Sequence, residues 1–212
     1  MMLSIATFVL IYLGVCIAIY QLYDIYCAQS FGDARRLSGI EDEALRDLSR
    51  QARQYARTGE SAGFAASVAA LFGKDLDPRV VLAAFSEGKA NLDAAPLLRR
   101  RHNIVCNGAI SIRHLPFWKT APPGKSLRGP LLVLIIVNTL LAIFLGGLSV
   151  YTIGYEISWP TLAWANSAPL LMLLVYALIL VTHLISRLDT YLHDIYRIGQ
   201  LNAHFPPTLN RL

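Results

Sequence analysis

Charge is what this sequence has least of. Asp, Glu, Lys and Arg make up 16% of its 212 residues, whereas soluble domains carry about 25%. Hydrophobic residues make up 55%, and the two figures together point to lipid as the solvent for much of the chain. Cysteine is scarce as well. Cys16, Cys27 and Cys106 are an odd set of three with no close pairing, which gives no disulfide framework and leaves three free thiols facing apolar surroundings or a reducing cytoplasm. The motifs of catalysis are missing too. The chain has no Gly-x-Ser-x-Gly, no phosphate-cradling glycine loop and no His-Glu-x-x-His, and these carry common hydrolase, nucleotide and metalloprotease chemistry. It has no Cys-x-x-Cys or His-x-x-x-His, so no metal site is expected. His102, Cys106 and His114 form no ligand set, because a two-residue turn at Asn107-Gly108 would face His102 with Arg113. The expectation is no enzyme activity, no catalytic residue, no metal and no cofactor.

What is present is three long apolar runs. The first covers residues 3–22, with no charge before Asp24; the second lies between Arg128 and Glu156, the third between Glu156 and Arg187. About 20 residues of helix cross a hydrocarbon core of ~30 Å, and backbone N–H and C=O groups in lipid must be satisfied within the segment. The fold class expected is therefore an all-α membrane protein. Three transmembrane helices carry a small, mostly helical cytoplasmic domain between the first and second. The divisions are residues 1–23 for the first span, 24–128 for the domain and 129–152 for the second span. A short external link follows at 153–160, the third span at 161–186 and a cytoplasmic tail at 187–212. A signal peptide is the rival reading of the first run. It would need a basic segment ahead of the apolar stretch, and Met1, Met2, Leu3 and Ser4 supply none, so an uncleaved anchor is expected.

Orientation follows from where the 19 Lys and Arg residues fall. Residues 1–20 hold none, residues 21–128 hold sixteen, and Arg187, Arg197 and Arg211 complete the set. The link between the second and third runs has none and carries Glu156. Positive residues stay on the cytoplasmic side, so the expectation is a multi-pass inner-membrane protein with its N-terminus outside and its C-terminus in the cytoplasm. The aromatic residues agree with this. Tyr151, Tyr155, Trp159 and Trp164 cluster at the outer end of the second and third runs, and Tyr20, Tyr23, Tyr26, Tyr191 and Tyr196 at the inner end; such rings favour membrane interfaces. Pro160 and Pro169 leave two readings of the third run. Either the helix starts at Pro160 and kinks at Pro169, or it starts near Pro169 and residues 159–166 lie at the interface.

The domain shows helix punctuation. Ser38 and Glu41 form a capping box ahead of a helix reaching about Arg57, with Gly59 as its stop. An Ala-rich stretch from Ser61 ends at Gly73, and Asp77-Pro78 opens a further helix that ends at Gly88. Asn107-Gly108 between apolar runs signals a hairpin over 103–112; a helix over 96–101 followed by this short hairpin is favoured over a helix from Pro96 to Cys106 that the same pair would cap. Pro116, Pro122, Pro123 and Gly124 read as a stiff linker. Leu22-Tyr-Asp-Ile-Tyr26 and Leu192-His-Asp-Ile-Tyr196 echo each other, and both are expected to prolong their spans as helices.

Two sets of residues stand out as candidate contacts. Gly14 and Ala18 in the first run, and Ala142 and Gly146 with Gly147 in the second, have the small-residue spacing that lets membrane helices approach closely, and Asn138 is placed for an interhelical hydrogen bond. Arg99, Arg100, Arg101, Lys125 and Arg128 are candidates for lipid headgroup contact, with a solvated basic face as the competing reading of the arginine run. No run contains Asp, Glu, Lys or Arg, and ion paths usually need such a group at depth. His183 in the third run is the only titratable candidate for such a path, and it sits one turn before Arg187, near the inner interface.

The layout of one span, a domain of about a hundred residues and two further spans resembles, in topology only, that of the ion-driven motor subunits of the ExbB, TolQ and MotA family. That family carries a Gly-rich turn and a Thr in the corresponding second span. Residues 145–149 and Thr139 match this weakly, the polar and acidic features of its third span are absent, and no site is carried over. The expected function is a non-catalytic subunit of a multi-protein secretion, transfer or transport machine. Its partners would be membrane lipids and other membrane subunits or copies of itself, with no nucleic acid. The alternative is a self-assembling channel or membrane-disrupting effector with a cytoplasmic sensor domain, for which Asn138, Ser149 and Ser167 are the sparse pore-lining candidates. A membrane enzyme built on Asp189, His193 and Asp194 is a third reading.

Overall fold

A computed structural model of the chain describes residues 2–30, 42–59, 62–74, 76–85, 94–106, 109–115 and 118–204. The described chain is mostly helical and divides into two compact units: Met1–Gly32 with Leu127–Thr190, and Asp33–Ser126 with Tyr191–Leu212.

Three helices are long and apolar enough to cross a membrane: α1 (Met2–Ser30) and α6 (Arg128–Gly154) of the first unit, and α7 (Ala168–Gln200), whose residues up to Thr190 belong to it. Both α1 and α7 run beyond their apolar stretches through the two echoed segments, as expected. Ile11, Leu145, Leu171 and Val175 form the buried seam, with Phe8, Leu148, Met172 and Leu178 against it. The outward faces are equally apolar: Val9, Leu13, Val137, Phe144, Leu180 and Leu184 are all exposed. A soluble protein rarely leaves such a surface open, and in lipid it carries no penalty. The link into α7 decides between the two proline readings. Pro160–Asn166 forms a separate 3-10 turn and α7 begins at Ala168, which puts Pro169 in a first helical turn, where its missing N–H costs nothing. Asn166 belongs to this link and not to a span: Ile157 N–H donates to its Oδ1 and its Nδ2 donates to the Ile157 carbonyl, each at 3.0 Å.

The second unit contains α2 (Asp42–Thr58), α3 (Ala62–Phe72), α4 (Pro78–Phe85), α5 (Ala94–Arg100) and a three-stranded antiparallel sheet of β1 (Ile104–Cys106), β2 (Ile110–Leu115) and β3 (Trp118–Thr120). Leu48 and Ala52 on α2, and Phe64, Val68 and Phe72 on α3, recur every four residues and are buried, the spacing of one helix face. Helix α4 is buried from Val80 to Phe85. Ile195, Ile198 and Leu201 complete the same core. Gly59 and Gly73 stop α2 and α3 at φ of 75° and 87°, and their N–H groups donate back to the carbonyls of Tyr55 and Ala69, the left-handed helix stop that glycine permits. Asp77 caps α4 by accepting the Arg79 N–H at 2.9 Å. The capping box at Ser38 and the stop at Gly88 lie outside the described residues.

The hairpin forms, but its register corrects the expected facing of His102 with Arg113. Ile104 pairs with Ile112, Val105 with Ser111 and Cys106 with Ile110, so the loop holds three residues and Asn103 is the residue that reaches Arg113, its Nδ2 donating to the Arg113 carbonyl at 2.9 Å. Burial sets this choice. Ile104, Ile110 and Ile112 all face the core, and a one-residue slip would turn one strand's set outward. The segment read as a linker departs from expectation twice. Trp118–Thr120 joins the sheet as β3, and Pro122 packs so closely on Gly199 that a Cβ there would lie 2.4 Å from it.

Candidate functional site

In the first unit, five of the six small or polar residues picked from the sequence are buried. Gly14 admits Val175: a Cβ added to it would lie 2.8 Å from Val175 Cγ1. Gly146 admits Val15, with 2.5 Å to Val15 Cγ2. Ala18 and Ala142 are 2% and 1% exposed. Asn138 Nδ2 donates to the Leu178 carbonyl at 2.7 Å and to Thr182 Oγ1 at 2.6 Å, tying α6 to α7. Thr139 Oγ1 donates within its own helix to the Ile135 carbonyl. Gly147 is exposed, with open space around its Cα.

One end of this bundle carries a polar clasp that had no sequence signal. Asp189 is 4% exposed. Gln29 Nε2 donates to its Oδ2 at 3.2 Å, and Arg128 Nε stands 3.7 Å from the same oxygen. Arg128, picked as a headgroup contact, therefore faces a carboxylate of its own bundle. One side chain from each of the three helices converges there.

In the second unit the arginine run divides. Asp194 is fully buried. Arg99 grips it with both arms of its guanidinium, Nη2 to Oδ1 at 2.8 Å and Nε to Oδ2 at 3.2 Å, and Arg100 Nε donates to Oδ2 at 3.2 Å. The Arg100 guanidinium also lies 4.5 Å from the centre of the Tyr191 ring, a cation–π contact. The Tyr191 hydroxyl hydrogen-bonds His114 Nδ1, and the other ring nitrogen of His114 bonds the Thr120 hydroxyl. This chain of contacts locks α5, the sheet and the last turns of α7 together. Both oxygens of the Asp194 carboxylate are held by guanidinium groups, so the contacts join α5 to α7. Arg99 and Arg100 are thus turned toward protein. Arg101 takes a different direction, donating from Nη1 to the Phe72 carbonyl at 3.5 Å and from Nε to His102. Lys125 is exposed.

Cys106 is half-buried on β1. Burial pushes its thiol above the ordinary value, the Asp77 carboxylate adds to the shift and Arg79 opposes it. Such a thiol stays protonated and unreactive near neutrality. Among the described residues no group of three His, Cys, Asp or Glu side chains could hold a metal ion. Comparison with protein-family models, with curated proteins and with solved structures finds no match for the chain.

Proposed function

We propose that this chain is a non-catalytic integral inner-membrane subunit of a multi-protein assembly for secretion, transfer or transport. In this reading its N-terminus faces outward, and its second unit lies in the cytoplasm. The observation that carries the reading is the use made of the bundle's polar and small side chains. Asn138 and Thr182 bond each other across α6 and α7, Gly14 and Gly146 receive valines, and the surface left over is apolar. Among the described residues no Asp, Glu, Lys or Arg lies within the three apolar runs to guide an ion, which suits an anchor and packing element better than a conduit. The one-sided distribution of Lys and Arg supports the orientation. Extraction from the native membrane in mild detergent, with mass measurement and identification of co-purifying chains, tests the proposal. A stable complex with several different proteins is expected. A homo-oligomer alone would refute it and favour the channel reading, with Asn138→Leu in a conductance assay as the next step.

A further inference from the structure

We propose that a recess in the second unit binds a phosphate group carried on an apolar body. The recess has a volume of about 600 Å³, in the range of small-molecule sites. Lys74, Arg101 and Arg113 bring three cationic side chains to it, with His102 beside them. Asp77 is the one carboxylate in its lining among the described residues, and it is already engaged: its Oδ1 caps α4 through the Arg79 N–H and lies 3.8 Å from Arg79 Nε. Among the described residues no ion pair involves Lys74, Arg101 or Arg113. The floor is different in kind. Leu76 and Ile104 are buried there, with Pro78 alongside.

Like charges drawn to one concavity repel each other, and an anion relieves that repulsion with charge-assisted hydrogen bonds. Arginine and lysine together suit a phosphate, the first by its planar fork and the second as a point charge. The apolar floor asks for more than inorganic phosphate, since the ligand's body would cover Leu76 and Ile104. A purely structural account explains Arg101 by itself, because its contact with the Phe72 carbonyl places a cation at the C-terminal end of α3. It does not explain why Lys74 and Arg113 share the same apolar-floored recess. The contrast with Arg99 and Arg100 is informative: those two arginines share the buried Asp194 carboxylate, and among the described residues Arg101 has no ion pair. This inference stands apart from the membrane-assembly reading.

The probe is phenyl phosphate, titrated by calorimetry into the full chain held in phosphatidylcholine nanodiscs. Binding is expected, and Lys74→Ala and Arg113→Ala should each weaken it about ten-fold. Arg50→Ala, an exposed residue of α2 outside the recess, should leave it unchanged. A second measurement needs no substitution. Cys106 lines the recess, so bound phenyl phosphate should slow its maleimide labelling at alkaline pH and leave Cys27 labelling unaltered. Absence of both heat and protection overturns the proposal, as does binding that survives both substitutions. Repeating the titration in nanodiscs that contain phosphatidic acid separates the sources. Loss of phenyl phosphate binding there assigns the site to a lipid phosphomonoester, and unchanged binding assigns it to a soluble phosphorylated compound.

Discussion

Gly146 and Gly147 are adjacent in sequence and should respond oppositely to the same added methyl group. In Gly146→Ala the new Cβ would stand 2.5 Å from Val15 Cγ2, with further Val15 atoms at 3.7 and 3.9 Å. Carbon atoms in contact prefer about 3.5–4.0 Å, so the overlap is on the order of 1 Å. Val15 cannot swing aside easily, since a β-branched side chain in a helix is held to one preferred rotamer. Helices α1 and α6 must part locally, and overpacking of this kind costs about 1–3 kcal/mol. Gly147→Ala meets nothing within 4 Å. Alanine favours a helix over glycine by up to about 1 kcal/mol, so this variant should equal or exceed the parent in stability. Unfolding in mixed micelles, followed by circular dichroism, gives both values under one condition. Val15→Ala placed in the Gly146→Ala chain should return more than half of the loss, because it removes the methyl that is struck. Equal stabilities for the two alanine variants, or a loss that Val15→Ala does not relieve, would refute the close approach of α1 and α6 at this point.

Other substitutions read other parts of the structure. Arg99→Ala removes the two-armed partner of buried Asp194 and should destabilise the protein by about 3 kcal/mol in chemical denaturation, near the lower end for a broken buried pair because Arg100 remains. Arg99→Met combined with Asp194→Leu should recover most of that loss. Asn138→Leu deletes the bonds to Leu178 and Thr182 and should cost about 0.6–2 kcal/mol in micelle unfolding, with little further loss when Thr182→Val is added. Cys106 titrates at a higher pH in the folded chain than in the unfolded one, so the folded chain keeps its proton where the unfolded chain releases it. Its contribution to stability is complete below the unfolded thiol's pKa and disappears as pH rises through the folded one. Cys106→Ala should therefore lessen the loss of stability seen at alkaline pH.

The three helices long and apolar enough to cross a membrane were legible because such helices follow a simple rule of length and composition, and residues 3–22 and the runs on either side of Glu156 obey it without a charged residue. Close packing at Gly14 and Gly146 was legible from spacing, yet spacing also picked Gly147, which sits a third of a helical turn from Gly146 and faces open space. The hairpin was legible at Asn107-Gly108, but the length of its loop was not. Which of two registers forms depends on the face the core takes, and that depends on helices distant in sequence. Strand β3 is three residues long and follows Pro116, so local preference gave no sign of it. The grip of Arg99 and Arg100 on Asp194 spans 95 and 94 residues, and the sequence around either end reads as ordinary surface charge. The same holds for Asp189 with Gln29 and Arg128, which only the packing of three helices brings together.

Thiol accessibility on the two sides of the membrane tests the account most directly. In a chain whose Cys16, Cys27 and Cys106 are replaced by alanine, Lys125→Cys and Glu156→Cys place single exposed thiols at opposite ends of α6. A membrane-impermeant maleimide applied to intact cells should label Glu156→Cys and leave Lys125→Cys unlabelled, and inside-out vesicles should give the reverse. Labelling of both from one side would show that α6 does not cross the membrane. The opposite pattern would place the second unit outside and overturn the orientation on which the proposed function rests.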